Sequence, residues 1–198
     1  MIRRIVLATR NEGKVRELRE MLRDLDVEVL SLQAFPGVPE VEEDGRTFHE
    51  NALKKAKEVS RYTSEVVLAD DSGLEVDILN GEPGIQSARY SGPAATDETN
   101  NLKLLGKLQG VPKEKRDARF RCVLVLHRPD GKSESFEGTW RGEITFEPRG
   151  IMGFGYDPLF LDPAQGLTAA ELPPDIKNRI SHRGQAFAKL KEWLERNK

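Results

Sequence analysis

The stretch that most limits what this chain can become is Val66 to Gly92, VVLADDSGLEVDILNGEPGIQSARYSG. Its first four residues, Val66, Val67, Leu68 and Ala69, have the length and β-branched content of a buried strand. Asp70 and Asp71 follow at once, and on this reading Ser72 and Gly73 break the run. Ligands of α/β proteins gather outside the carboxyl ends of strands, so two acids at that point are well sited to hold a metal or activate water. Asp-Asp-Ser-Gly is also ordinary turn chemistry, so the rest of the chain has to decide between the two.

The remainder supports an α/β reading. Ile2 to Ala8 reads as a strand, and Val15, Leu18, Leu22 and Leu25 fall on one helical face directly after it. Between them, Thr9-Arg10-Asn11-Glu12-Gly13-Lys14 forms a polar turn into a helix. The unpaired N–H groups of that first turn, with Lys14 beside them, make an anion-binding arrangement. It has neither the spacing of a Walker A loop nor the three glycines of a dinucleotide fingerprint. With Asn11 as N-cap, it also reads as a plain helix start. Val27 to Leu32 suggests a second strand. Glu40, Glu42, Glu43 and Asp44 then precede Gly45 and a helix announced by Thr47 and Glu50 as a capping box, with Phe48, Ala52, Ala56 and Val59 inward. Most of these acids are explained by the helix dipole. Glu43 stands apart, because its place at the turn lets it face the same site as Asp71. Lys54 and Lys55 read either as a solvated face or as phosphate contacts.

In the second half, Thr96 caps a helix read through Leu102, Leu105 and Leu108 and ended by Gly110. Pro112 to Arg116 reads as a charged surface turn. Ala118 to Leu126 alternates as a strand, with further strands expected over Ser133–Trp140 and Glu143–Phe146 as an antiparallel meander. The loop PRGIMGFGYDP, Pro148 to Pro158, combines three glycines with Phe154 and Tyr156, which can stack on a flat ring, and Asp157, which can accept from it. Glycine-aromatic loops also occur as bulges between strands. Ser181 as N-cap puts His182 and Arg183 in the first turn of the last helix, where they either project donors from its positive end or form a plain surface cap.

Composition narrows the function classes. With 198 residues, one domain over 1–198 is the default. Basic residues number 31 against 33 acidic, so the chain lacks the positive excess with which a polynucleotide binder displaces counterions. No apolar run approaches the ~18 residues of a membrane span. The N-terminus meets Asn11 and Glu12 too early for a signal peptide's apolar region. The single cysteine, Cys122, forms no internal disulfide. A cytoplasmic enzyme is expected. A cationic helix start, two acid positions, a glycine-aromatic loop and a donor-bearing helix start together describe a phosphate end, a metal centre and a planar-base end: a nucleotide.

The segments ATRNEGK, EEDGRTFHENALKKA, ADDSGLEVDILNGEPGIQSARYSG, GFGYDPLF and ISHRGQA occur in order from near residue 6 to near residue 190. They resemble those of the non-canonical purine nucleoside triphosphate pyrophosphatases, the inosine/xanthosine triphosphate pyrophosphatase family. That resemblance implies an α/β fold, an elongated mixed β-sheet flanked by helices with two lobes around a central cleft, usually a homodimer. It implies Mg²⁺-dependent hydrolysis of ITP, dITP and XTP to the monophosphate and pyrophosphate. Thr9, Asn11 and Lys14 match its triphosphate-contacting turn, and Lys55 a further phosphate contact. Glu43 and Asp71 match the magnesium-binding and water-activating positions, with Asp71 the base and Asp70 and Ser72 beside it. Phe154, Gly155, Tyr156, Asp157, Lys177, His182 and Arg183 match the base pocket. Arg10 stands where the family often has a small residue, and either adds a phosphate contact or points outward. A pyrophosphatase for another modified nucleotide, or a nucleotide-binding regulator without catalysis, are the alternatives. The acids Glu43 and Asp71 count against the regulator.

Overall fold

The computed structural model describes residues 2–25 and 27–197. Among the described residues, seven strands hydrogen bond in the order β2-β1-β3-β4-β5-β6-β7, with five α-helices: an α/β fold built on a mixed sheet. The chain divides into two compact units. Residues 1–71, 122–138 and 183–198 make the first, and 72–121 and 139–182 the second.

The first unit begins as the sequence suggests. Strand β1 (Arg4–Leu7) leads into helix α1 (Glu12–Leu22), then strand β2 (Glu28–Ser31), helix α2 (Phe48–Thr63) and the start of strand β3 (Val67–Val76). β1 is parallel to both β2 and β3, with Leu7 opposite Ser31 and Leu68. Residues from the ends of strands β4 (Asp117–His127) and β5 (Ser133–Ile144), and nearly all of helix α5 (His182–Arg196), complete this unit. Side chains on a strand alternate between faces. Ile5, Leu7, Leu68, Cys122, Leu124 and Leu126 accordingly pack with Val15, Leu18 and Leu22 of α1 and Phe187, Leu190 and Leu194 of α5. The alternate residues Val6, Val67, Ala69, Val123 and Val125 are buried too, as is the Ala52–Ala56–Val59 stripe of α2. A sheet covered on both faces reads as continuous apolar runs, as here. Truncating Leu190, fully buried on α5, to alanine removes about 2–5 kcal/mol.

The second unit holds the far end of β3, helix α3 (Asp97–Lys107), the remaining residues of β4 and β5, strands β6 (Phe160–Asp162) and β7 (Leu167–Thr168), and helix α4 (Pro174–Ile180). β5, β6 and β7 run antiparallel. Its core is aromatic: Phe120 and Trp140 lie 4.4 Å and 4.9 Å, centroid to centroid, from Phe160, and Trp140 Nε1 donates to Asp162 at 2.8 Å.

Four local expectations are corrected. β3 does not end at the acids but runs on through Asp70, Asp71, Ser72 and Gly73, because buried cations meet the carboxylates and remove the reason to turn toward water. β5 continues to Ile144, so Glu143–Phe146 is no separate strand, and the next strand is β6. Leu104 of α3 and its C-cap Leu108 are in the core and Leu105 packs against it, whereas Leu102 is 62% exposed. Arg116 is buried, not on a surface turn; its guanidinium donates to the carbonyls of Leu108, Ile144 and Thr145.

Candidate active site

In the first unit, consecutive acids on β3 face opposite ways and meet different cations. Asp70 shares the parity of Leu68, so it points toward α1 and α5. Its Oδ1 lies 2.5 Å from Lys14 Nζ, and its Oδ2 accepts from Arg183 Nε at 2.9 Å and from Cys122 Sγ at 3.3 Å. Asp71 shares the parity of Val67 and Ala69 and meets Lys55 of α2, whose Nζ is 3.3 Å from Asp71 Oδ1. Lys55 Nζ also donates to Glu43 Oε1 and to the Asp70 carbonyl, both at 2.8 Å. One buried ammonium therefore joins the two acids that the sequence singles out.

The electrostatics of the neighbours diverge. Burial alone would push the Asp70 carboxyl up, but Arg183 and Lys14 outweigh it and hold it well below the usual carboxylate range. Burial raises Asp71 above its ordinary value; Lys55 opposes this without cancelling it. The Lys55 ammonium is disfavoured by burial, yet Asp71 and Glu43 keep its pKa raised. Asp70 is thus a fixed anion, whereas Asp71 is the better proton acceptor. Asp71 Oδ2 is buried and makes no hydrogen bond among the described residues, which leaves it capacity for a water or a metal.

The surrounding turns are built to hold this arrangement. Asn11 caps α1, its Oδ1 accepting from the Lys14 amide at 3.1 Å, and Thr9 Oγ1 accepts from the Asn11 amide at 3.2 Å. Arg10 does not point freely outward; its Nη2 donates to the Val38 carbonyl at 2.9 Å. Thr47 accepts from the Glu50 amide, as a cap should, but Glu50 reaches the Arg46 amide rather than that of Thr47. Asn51, which the sequence reading missed, is fully buried on α2 and accepts from the Gly45 amide at 2.8 Å. A Cβ on Gly45 would come within 2.6 Å of that Oδ1, so the glycine lets the EEDG turn close onto the helix. The i, i+4 spacing of Asn51 and Lys55, two polar residues on a face rich in alanine, was the available signal.

In the second unit, the glycine-aromatic loop is organised around Asp157. Its Oδ2 accepts from the Phe154 amide at 2.9 Å and from Lys177 Nζ of α4 at 2.6 Å, and Lys177 Nζ lies 5.2 Å from the Phe154 ring centroid. Gly153, at φ +80°, is required: a Cβ there would overlap Asp157 Oδ2. Gly155 is pinned by α3, donating to Asp97 Oδ2 at 2.7 Å and accepting from Asn101 Nδ2 at 3.0 Å. Phe154 and Gly155 line an open groove of about 400 Å³ with Leu105, Ile151 and Met152. Ser72 is half-buried in β3.

Three residues expected at the base pocket lie in buried surroundings. Tyr156 is a core residue whose hydroxyl donates to the Ser87 carbonyl at 2.8 Å, because a phenol this deep needs a partner for its O–H. His182 is buried with its ring 4.7 Å from that of Phe120, nearly parallel. Arg183 does not project from α5 but turns inward to Asp70 and Glu17, since a buried guanidinium needs anions around it.

The comparisons with known proteins cover the whole arrangement. The model of the Ham1 family matches residues 5–193. A dITP/XTP pyrophosphatase of Geobacter sulfurreducens is 56% identical over 191 residues, 96% of either chain. Among solved structures, a HAM1 protein from Coxiella burnetii is similar with a TM-score of 0.89 and 44% identity, over 99% of this chain and all of that one. The Ham1 protein of Staphylococcus aureus gives 0.88 and 42% over the same shares. A match running through both units, at this identity and with this backbone agreement, shows that the chain belongs to the Ham1 family.

Proposed function

We propose that this chain hydrolyses the non-canonical purine nucleoside triphosphates ITP, dITP and XTP to the monophosphate and pyrophosphate with magnesium. The near full-length likeness to a dITP/XTP pyrophosphatase carries the reading. The acid and lysine cluster of the first unit supplies chemistry that suits it.

Glu43 and Asp71 suit a magnesium ion. Both are oxygen donors, they share the Lys55 ammonium, and Asp71 Oδ2 has unused hydrogen-bonding capacity. No group of three or more metal-ligating side chains occurs among the described residues. Magnesium commonly takes one or two carboxylates and completes its shell with waters and substrate phosphates, so two are enough. When bound there, it would neutralise the phosphate oxygens as a Lewis acid.

The chain's own groups do the rest. Lys14 and the α1 start, with Thr9 and Asn11, bind phosphate oxygens, and Lys55 adds a second cation. Asp71 takes a proton from the water that attacks the α-phosphorus in line, and pyrophosphate leaves. A carboxyl raised by burial is a better base than an exposed one.

For the base, we assign the stacking face to Phe154 and a donor role to His182. Inosine and xanthine carry a keto acceptor at C6, whereas adenine carries an amino donor there. A donor left unpaired costs about 1–3 kcal/mol, so ITP should be favoured over ATP by roughly 5- to 150-fold. We further infer a cytoplasmic homodimer, in which the whole chain serves as one catalytic domain. The family model, running through both units, supports the single domain, and light scattering tests the dimer.

Incubation with ITP, XTP, GTP, ATP and dTTP, with and without Mg²⁺, tests the function. Pyrophosphate from ITP and XTP only with magnesium supports it. Orthophosphate as sole product, or equal rates on ATP, contradicts it.

A further inference from the structure

The proposed chemistry uses Asp71, Glu43, Lys14 and Lys55 but gives no task to the neighbouring acid. Yet Asp70 is the most completely enclosed carboxylate of the cluster, its side chain 0% exposed. Both its oxygens are occupied, Oδ1 by Lys14 Nζ and Oδ2 by Arg183 Nε and the Cys122 thiol. Arg183, itself 2% exposed, is held on its other side by Glu17 of α1. The four side chains thus form an alternating line, Glu17–Arg183–Asp70–Lys14, of which Lys14 is the end. At the same residue, the Asp70 main-chain carbonyl accepts from Lys55 Nζ at 2.8 Å. One residue in the middle of a strand therefore touches both lysines, one through its side chain and one through its backbone.

We propose that Asp70, braced by Arg183 and Glu17, is a positioning residue that fixes the Lys14 ammonium for the phosphate chain. The inference rests on the phosphate-binding role given to Lys14 under Proposed function. Lysine is a flexible point charge on a long stem, and holding it in advance removes the ordering cost from the binding step. An anion beside a phosphate site weakens binding if it acts only as a charge. A buried one retained there is explained if the order it imposes outweighs that repulsion. The two effects have opposite signs, and this makes the proposal testable.

The probe is inorganic tripolyphosphate, titrated calorimetrically without metal into the intact protein and its Asp70→Asn, Lys14→Met and double variants. Tripolyphosphate carries no base, so any base-reading role of Arg183 cannot enter. Asp70→Asn should weaken binding about tenfold or more, equivalent to the loss of one charge-assisted hydrogen bond. In the Lys14→Met background the same substitution should cost less than about threefold, because the group it positions is gone. Tighter binding by Asp70→Asn, or equal losses with and without Lys14, would overturn the proposal. If Asp70→Asn does not fold, Arg183→Gln and Arg183→Lys replace it: Gln should weaken tripolyphosphate binding only when Lys14 is present, and Lys should restore part of the loss. An Arg183→Gln protein that binds tripolyphosphate like wild type overturns the proposal as well. Failure of the wild type to release pyrophosphate from ITP would instead remove the functional reading, and leaves the tripolyphosphate result to decide on Asp70.

Discussion

Replacing Asp71 with asparagine keeps the shape of the side chain and removes its proton affinity, so it separates chemistry from architecture. General-base contributions are typically 10²- to 10⁴-fold, and turnover of ITP should fall by at least about 10²-fold. The structure also sets the effect on stability. Lys55 would lose a partner at 3.3 Å but keep Glu43 and the Asp70 carbonyl, both at 2.8 Å, so no buried cation is stranded. Burial raises the Asp71 pKa, which means that ionisation at neutral pH costs the folded state free energy, and the amide removes that cost. The two effects oppose each other, and the net change should stay within about 1–2 kcal/mol, of either sign. Pyrophosphate release and urea-unfolding midpoints on the same preparations check both halves. Near-normal turnover would move the base elsewhere, and a loss of more than about 3 kcal/mol would make Asp71 a structural acid whose inactivity says nothing about catalysis.

Three further substitutions probe the second unit. Tyr156→Phe strips the donor from the Ser87 carbonyl and should cost about 1–2 kcal/mol in urea unfolding while leaving kcat and KM for ITP within about twofold; a tenfold rise in KM would return the ring to the base. Gly153→Ala forces a left-handed backbone position on alanine and drives its Cβ into Asp157, so it should lose at least about 2 kcal/mol in thermal or urea unfolding; an unchanged midpoint would refute the packing described. Glu171, held at about 2 by Arg149 and the Thr168 amide against an ordinary 4.5, contributes stability that is full above 4.5 and fades as the pH falls toward about 2. The stability difference between wild type and Glu171→Gln should therefore be constant from pH 7 to about 5 and close below pH 4.5; a difference that grows with acid would reverse the sign.

Much of this was legible in the residues because local and tertiary preferences agreed. The Ile2–Ala8 run and the apolar stripes of α1 and α2 were readable from their periodicity, and the Asn11 and Thr47 caps because their partners lie three residues on. The misreadings of Asp-Asp-Ser-Gly, Arg116 and Arg183 share one cause, a polar residue with partners far away along the chain. Asp-Asp-Ser-Gly reads as a turn until Lys14, Lys55 and Arg183 are brought to it, from as far as 113 residues away. Arg116 reads as surface because the carbonyls it satisfies belong to other elements. Arg183 reads as an outward donor because helix position alone does not reveal Asp70 and Glu17. The core packing of Tyr156 was not legible either, because the acceptor of its hydroxyl lies 69 residues earlier. At the acids, alternation along β3 was the one local rule that survived, and once the strand is seen to continue it assigns Asp70 to α1 and α5 and Asp71 to α2.

In the proposed mechanism, water deprotonated by Asp71 attacks the α-phosphorus of ITP and expels pyrophosphate. Hydrolysis of ITP in ¹⁸O-enriched water with Mg²⁺, followed by mass spectrometry of both products, tests it most directly. The label should appear in inosine monophosphate and not in pyrophosphate. Label in pyrophosphate would place the attack on the β-phosphorus, and labelled orthophosphate would place it on the γ-phosphorus; either would contradict the mechanism.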